Sequence, residues 1–156
     1  MNWDTLEPDQ TIHYGGFWKR TFAFLIDLLI VKLLNLILIG LGILAAYRAL
    51  DDLQFSSPSE DLIFLLIGLF FLTGITLFFI YFLYFNWKGY TPGMRLSGLK
   101  IVSDSSEPLT ISQALVRTSG LLISFFFFGI GFLIMLFNHK RRTLHDLLAG
   151  TYVIKT

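Results

Sequence analysis

The sequence predicts an all-α integral membrane bundle with two full transmembrane helices, a third apolar segment and a short cytoplasmic strand pair. Of the 156 residues, 54% are hydrophobic and 17 are phenylalanine, a composition typical of membrane proteins. Two apolar runs exceed the length of about 20 residues that a helix needs to cross a bilayer. The net charge is only +1, but the charges lie asymmetrically around these runs.

The first apolar run covers residues 22–47 and follows a polar lead of residues 1–15. Residues 16–156 are predicted to form one transmembrane domain. The run is too long to be the apolar core of a cleaved signal peptide. Lys19 and Arg20 precede it and mark its start as cytoplasmic, because basic residues flank the cytoplasmic ends of spans.

The second predicted span covers residues 62–85, which carry no charge. The connector before it, residues 48–61, holds one basic and four acidic residues, so the positive-inside rule places it outside. The polar stretch 86–117 contains several lysines and arginines and is predicted to be cytoplasmic. Within it, residues 99–102 (LKIV) have the pattern of a short strand.

The third apolar segment, residues 119–137, leaves two alternatives open. Its 19 residues are just long enough to span. A full span would place the basic triplet 140–142 outside and would separate LKIV from the strand-like residues 152–155 (YVIK). A re-entrant or kinked hairpin with both termini cytoplasmic satisfies the charge rule and lets the strands pair, so it is favoured over the simple span.

The sequence lacks the motifs of several kinds of catalytic and metal-binding site. There is no cysteine, no histidine pair has metal-ligand spacing, and no nucleophilic triad or phosphate-binding glycine loop is present. We therefore expect no enzyme activity, no cofactor and no metal site. The triplet 140–142 is interpreted as an anchor for anionic lipid headgroups, and nucleic acid is not an expected partner.

Polar residues inside the first span point to function. Asp27, Lys32 and Asn35 interrupt the apolar run, and an ionised group at mid-depth costs roughly 2.5–3.5 kcal/mol. Asp27 and Lys32 lie about 140° apart on a helix, so each needs a partner elsewhere. One hypothesis is a proton or cation site built from Asp27 and Asn35 with Thr73 and Thr76 of the second span. The alternative is an interhelical bridge that only stabilises packing.

A second set of charged residues is assigned to a gating or structural ion pair: Arg20, Lys32, Arg117 and Asp146. Thr143 and Asp146 have the spacing of a helix capping box, with Gly150 as the stop. Asp146 is therefore predicted either to cap this tail helix or to pair with Arg20 or Arg117.

Together these positions resemble the RDD family of bacterial membrane proteins, which is named for one arginine and two aspartates. The resemblance covers about residues 15–156 and rests on GFWKR (16–20), FLID (24–27), TPGMRLSGLKIV (91–102), LVR (115–117) and TLHDLLAGT (143–151). It implies that the eponymous residues are Arg20, Asp27 and Asp146. Met94 departs from the family pattern, which has lysine there, and Lys32 has no counterpart in that pattern.

The resemblance also implies a link to Na⁺(Li⁺, K⁺)/H⁺ exchange, which some members of the family have. The first functional hypothesis is thus a small, homo-oligomeric ion/proton exchanger in the bacterial plasma membrane, with Asp27 binding the ion. The second is a non-transporting membrane scaffold or envelope-stress protein, in which the arginine and aspartates form a structural lock.

Overall fold

The computed structural model describes residues 13–51, 60–105, 107–127, 130–137 and 141–156. Most of the polar lead and of the acidic connector lies outside the described residues. The elements are α1 (Phe17–Asp51), α2 (Glu60–Lys88), α3 (Pro92–Leu96), β1 (Leu99–Ser103), α4 (Ile111–Phe126), α5 (Ile130–Leu133), a 3₁₀ turn (Ile134–Leu136), α6 (Leu144–Leu148) and β2 (Thr151–Lys155).

The helices α1 and α2 contain the two predicted spans and extend beyond them at both ends. Their segments Phe17–Arg48 and Leu62–Lys88 are long and apolar enough to cross a membrane. Only 11% and 6% of their most apolar windows are buried inside the protein. The remaining apolar side chains face outwards, which is the arrangement that a lipid surround requires.

The third apolar segment forms a short helix followed by a turn back. The helix α4 begins at a capping box, where the Gln113 amide donates to Thr110 Oγ1 at 3.2 Å and the Thr110 amide donates to Gln113 Oε1 at 3.1 Å. Its 16 residues rise about 24 Å, which is less than the bilayer core. Gly131 then packs against Ser124, because a Cβ there would lie 2.0 Å from Ser124 Oγ. The helices α4 and α5 therefore contact one another, while the re-entrant course of this segment and its depth in the membrane stay predictions.

The predicted strand pair is confirmed. Strands β1 and β2 are antiparallel, with Leu99 opposite Lys155 and Ile101 opposite Val153. The side chains of Leu99, Ile101 and Val153 are buried together with Ala23 of α1. The sheet therefore holds the C-terminal strand beside the start of the first helix. We call α3, β1, α6 and β2 the cap.

A glycine allows the cap to approach α1 closely. A Cβ at Gly93 would lie 2.1 Å from the Ala23 carbonyl oxygen and 2.9 Å from Asp27 Cγ, distances that no side chain tolerates. The turn before it is built for a helix start, since Pro92 occupies the first turn and the Met94 amide donates to Thr91 Oγ1 at 3.1 Å. The helix α3 is thus docked by its backbone.

A second cluster packs the helices against one another. Val31 of α1, Phe78 and Phe82 of α2 and Leu121 of α4 are all buried. The rings of Phe78 and Phe82 have centroids 4.5 Å apart. This contact fixes α4 between the two long helices and thereby positions Arg117, one turn earlier on α4.

Replacing Gly93 with alanine should destabilise the protein, because the added methyl group collides with α1 backbone. We expect a loss of about 1–3 kcal/mol or more, the usual cost of overpacking, measured as a lower thermal midpoint in detergent. Gly68→Ala is the control, since nothing lies within 4 Å of a Cβ there, and it should be neutral or slightly stabilising. Equal midpoints for Gly93→Ala and the wild type would contradict the close docking of α3.

Candidate functional site

A buried carboxylate joins two arginines that come from different helices. Arg20 Nη1 of α1 donates to Asp146 Oδ2 at 2.5 Å, and Arg117 Nη1 of α4 donates to Asp146 Oδ1. Arg20 is 3% exposed, Arg117 is 2% exposed and Asp146 is fully buried. Burial raises the pKa of Asp146, but the charges of Arg117 and Arg20 outweigh it and leave this pKa well below its ordinary value.

The same carboxylate also caps α6. The Thr143 amide donates to Asp146 Oδ2 at 3.2 Å, and Gly150 ends the segment with a φ of +61°. The predicted cap and stop are therefore confirmed. The two roles weighed for Asp146 from sequence, capping and pairing with arginine, occur together because its two oxygens can accept several donors.

The remaining donors of the two arginines extend this network into the neighbouring elements. Arg117 Nε donates to Asn86 Oδ1 of α2 at 3.3 Å, and its Nη1 donates to Thr151 Oγ1 of β2 at 2.9 Å. Arg20 Nη2 donates to the Val153 carbonyl at 3.4 Å. The arginine cluster, which we define as Arg20, Arg117 and Asp146, thus connects α1, α2, α4, α6 and β2.

Asp27 forms a second buried site on α1. It is 1% exposed. Its Oδ1 accepts from Tyr81 Oη at 2.8 Å and from the Gly93 amide at 2.8 Å, and its Oδ2 accepts from the Thr91 hydroxyl. Sequence analysis predicted that Asp27 needs a partner on another segment, and its partners lie on α2 and at the start of α3. Sequence analysis missed these three donors, although Thr91 and Gly93 lie in a turn motif that signals a helix start.

The oxygen set predicted for an ion does not converge. Thr73 Oγ1 donates to Asn35 Oδ1 at 3.0 Å, and Asn35 Nδ2 donates to the Phe70 carbonyl at 3.4 Å. Thr76 donates to the Leu72 carbonyl of its own helix at 2.8 Å. Asn35 lies eight residues beyond Asp27, a rise of about 12 Å. The Asn35–Thr73 pair therefore links α1 to α2 at a different level from Asp27.

Lys32 also lies apart from the predicted ion pair. Its side chain is exposed and lines an apolar groove of about 540 Å³ between α1, α2 and α4, beside Phe71 and Phe125. Among the described residues no carboxylate forms an ion pair with it. The helical rotation of about 140° between Asp27 and Lys32 directs the two side chains to opposite environments.

A small cavity separates the two buried sites. Its volume is about 20 Å³, and its lining includes Arg20, Asp27, Asn86, Arg117 and His145. A cavity of this size accommodates about one water molecule. Asp27 and the two arginines therefore face a common interior, although they contact different parts of the cap. Apolar side chains also line this interior, those of Phe24, Phe82, Met94 and Leu121.

His145 lies in this interior as a neutral ring. Its Nε2 is 2.9 Å from Thr143 Oγ1. Burial lowers the pKa of His145, and with the charges of Arg117 and Arg20 it outweighs the opposing effect of Asp146, so that this pKa is about 3. His145 therefore stays uncharged over the whole physiological pH range.

Replacing Asp146 with asparagine should destabilise the protein strongly, because two buried guanidinium groups would lose their counter-charge. We expect a loss of about 3–5 kcal/mol, measured by unfolding in detergent. Asp104→Asn is the matched control: Asp104 pairs with Arg142 at the surface and is 42% exposed, so its loss should be below about 1 kcal/mol. Similar losses for both variants would contradict the central position of Asp146.

Acidification should lower the free energy of unfolding, because His145 is buried in its neutral form. Its pKa is 6.5 in the unfolded chain and about 3 when folded, so the unfolded state alone binds this proton between those values. The free energy of unfolding should then fall by about 1.4 kcal/mol for each pH unit below 6.5. His145→Gln should remove this slope from the thermal midpoint measured against pH. A slope unchanged in His145→Gln would show that another group is responsible.

Comparison with known proteins agrees with this arrangement. The sequence model described as RDD family matches residues 14–150, a range that includes both aspartates and both arginines of the two sites. The chain is 29% identical over 145 residues to the uncharacterized protein YckC of Bacillus subtilis (strain 168), covering 89% of this chain and 83% of that protein. It is 28% identical over 147 residues to the uncharacterized protein YxaI of the same organism, covering 90% and 96%. No solved structure gives a significant match. The chain therefore belongs to the RDD family of membrane proteins.

Proposed function

We propose that this protein is a non-transporting membrane scaffold, in which Arg20, Asp27 and Asp146 lock the cap onto the two long helices. The observation that carries this proposal is the environment of Asp27. Its carboxylate accepts three hydrogen bonds, all of them from protein groups that hold α2 and α3 against α1. A carboxylate bonded in this way acts as a structural acceptor.

The surroundings of Asp27 also argue against a cation site. A hard cation needs several oxygen ligands around it, but Asn35, Thr73 and Thr76 are bonded elsewhere. The cavity beside Asp27 has room for about one water. The guanidinium groups of Arg20 and Arg117 line this cavity, and their positive charges disfavour the binding of a metal cation in it.

The arginine cluster supports the lock from the other side of the cap. Asp146 lies 126 positions after Arg20 and 29 positions after Arg117. Its two ion pairs therefore close long loops of the chain around one buried point. Removing Asp146 leaves two buried guanidinium groups without a counter-charge, which is costly. This arrangement favours a single rigid conformation of the cap, as a scaffold requires.

The charge distribution supports a cytoplasmic position for the cap in a bacterial plasma membrane. The end of the molecule that carries the cap is rich in basic residues, whereas the opposite end has Arg48 and Glu60. Basic residues concentrate on the cytoplasmic side of membrane proteins. With the cap there, His13 and Thr156, the first and last described residues, are both cytoplasmic. The described basic residues at this end are Lys19, Arg20, Lys88, Arg95, Lys100, Arg117, Arg141, Arg142 and Lys155.

The second candidate function is Na⁺(Li⁺, K⁺)/H⁺ exchange by a homo-oligomer. One observation favours it: Asp27 is an ionisable group within a span, and it lines a small cavity together with His145. Ionisable residues in transmembrane segments frequently mark ion pathways. In this candidate Asp27 exchanges a proton for a cation, and the arginine cluster gates access from the cap.

Transport in proteoliposomes separates the two candidates. For the scaffold, wild-type protein should give no Na⁺-, Li⁺- or K⁺-driven proton flux above that of empty liposomes, read with an enclosed pH dye. Asp27→Ala should lower the thermal midpoint, because three donors lose their acceptor, a cost of about 2–4 kcal/mol. Asp27→Asn should cost less, since an amide oxygen still accepts hydrogen bonds.

The contrary result is equally clear. A cation-driven flux that the wild type supports and Asp27→Asn abolishes would overturn the scaffold in favour of exchange. Thermal stabilisation by Na⁺ or Li⁺ at fixed ionic strength, present in the wild type and absent in Asp27→Asn, would have the same consequence, because a bound ligand stabilises the folded state by mass action.

A further inference from the structure

A cavity of about 630 Å³ opens beside the N-terminal end of α1. Three cationic side chains line it, those of Lys19, Arg141 and Lys155, and no carboxylate of the described residues does so. These cations come from the first helix, the loop before α6 and the last strand. Their like charges repel one another at close range, so an anion in the cavity would stabilise the arrangement.

Local contacts and backbone conformation determine which basic side chains line this cavity. Arg142 turns away from the cavity, because it pairs with Asp104 and stacks on Tyr152. Its neighbour Arg141 instead has a φ of +47°, an unfavourable value for a residue with a side chain. This conformation brings the Arg141 guanidinium to the start of α1, where a Cβ on Gly16 would lie 3.6 Å from Nη1.

Lys155 and Lys100 show the same selection within the sheet. Lys155 is opposite Leu99, and Lys100 is opposite Ile154. Side chains alternate between the faces of a strand, so Lys155 shares the face of the buried Leu99, whereas Lys100 is on the other face. Lys155 lines the cavity and Lys100 does not. The two lysines therefore form a matched pair for an experiment.

The rim of the cavity is apolar and exposed. Trp18 is 81% exposed, Leu136 is 60% exposed and the adjacent Phe137 is 90% exposed. Tryptophan is enriched at the headgroup level of membranes, and Trp18 lies at the start of the first span. An anion that arrives with acyl chains can satisfy both the cations and this rim, whereas a free anion satisfies only the cations.

We infer that this cavity binds the phosphate group of an anionic phospholipid, with Lys19, Arg141 and Lys155 around the phosphate and the acyl chains along Trp18 and Leu136. Basic pockets at the cytoplasmic ends of transmembrane helices recognise headgroups in this way. The site is independent of whether Asp27 binds an ion. It assigns Arg141 a specific part in the membrane anchoring predicted for residues 140–142.

The experiment uses the tryptophan in the cavity as the reporter. The chain has three tryptophans, so Trp3→Phe combined with Trp87→Phe leaves only Trp18. This variant is reconstituted in bilayers of brominated phosphatidylcholine mixed with phosphatidylglycerol. Phosphatidylglycerol should relieve the quenching of Trp18 more than its mole fraction predicts. Arg141→Gln and Lys155→Gln should each reduce this preference about fivefold, the change that corresponds to about 1 kcal/mol per basic residue.

Controls identify the source of the effect. Lys100→Gln should keep the wild-type preference, because its charge lies on the opposite face of the sheet. Millimolar inorganic phosphate should leave the preference unchanged, and displacement of phosphatidylglycerol by it would overturn the lipid in favour of a soluble phosphate. An equal loss in Lys100→Gln and Lys155→Gln would overturn the site in favour of diffuse surface charge. Quenching that follows the mole fraction in the wild type would overturn it as well.

Discussion

The carboxylate of Asp146 lies between the guanidinium groups of Arg20 and Arg117, and the rest of the cap depends on it. Transferring these three charges from water costs several kcal/mol per ion, and only full pairing offsets that cost. Arg20, Arg117 and Asp146 are each at most 3% exposed, so none of them can exchange its partner for water. The long helices, α4, α6 and β2 must therefore assemble together around this point, which couples the cap to the bundle.

Asp27 provides the second attachment, and it acts through backbone rather than charge. Its acceptor oxygens hold the Gly93 amide and the Thr91 hydroxyl at the start of α3. The approach is possible only because residue 93 has no Cβ. Both attachments use the N-terminal part of α1, so this short stretch of helix organises the polar interior. Residues from both attachments line the small cavity between them.

These contacts affect how a charged residue inside a transmembrane span is interpreted. An intramembrane carboxylate suggests an ion pathway as long as its partners are unknown. In this protein the three donors to Asp27 come from α2 and from the start of α3, and the cationic side chains that share its cavity are those of Arg20 and Arg117. Hydrogen bonds among buried polar groups give a protein rigidity and favour one conformation. That property suits a scaffold and explains how a chain with little buried apolar surface can hold a defined cap.

Sequence by itself determined the elements and the chemical type of the important residues. Run length and apolarity predict α1 and α2, the strand-like segments LKIV and YVIK predict β1 and β2, and the spacing of Thr143 and Asp146 predicts the start of α6. The RDD motifs identify Arg20, Asp27 and Asp146 as a set. All of these signals are local, because they depend on the periods of helices and strands and on short spacings.

Only the tertiary structure decided which groups meet. Asn35 pairs with Thr73 instead of joining Asp27, Lys32 remains in an apolar groove, and Arg141 rather than Arg142 turns towards the start of α1. A side chain's partner depends on how distant segments pack, and residues 126 positions apart can be in contact while neighbours point in opposite directions. The spacing of residues along one helix cannot predict these contacts, since hydrogen bonds and ion pairs depend on distances of a few ångströms between atoms of different elements.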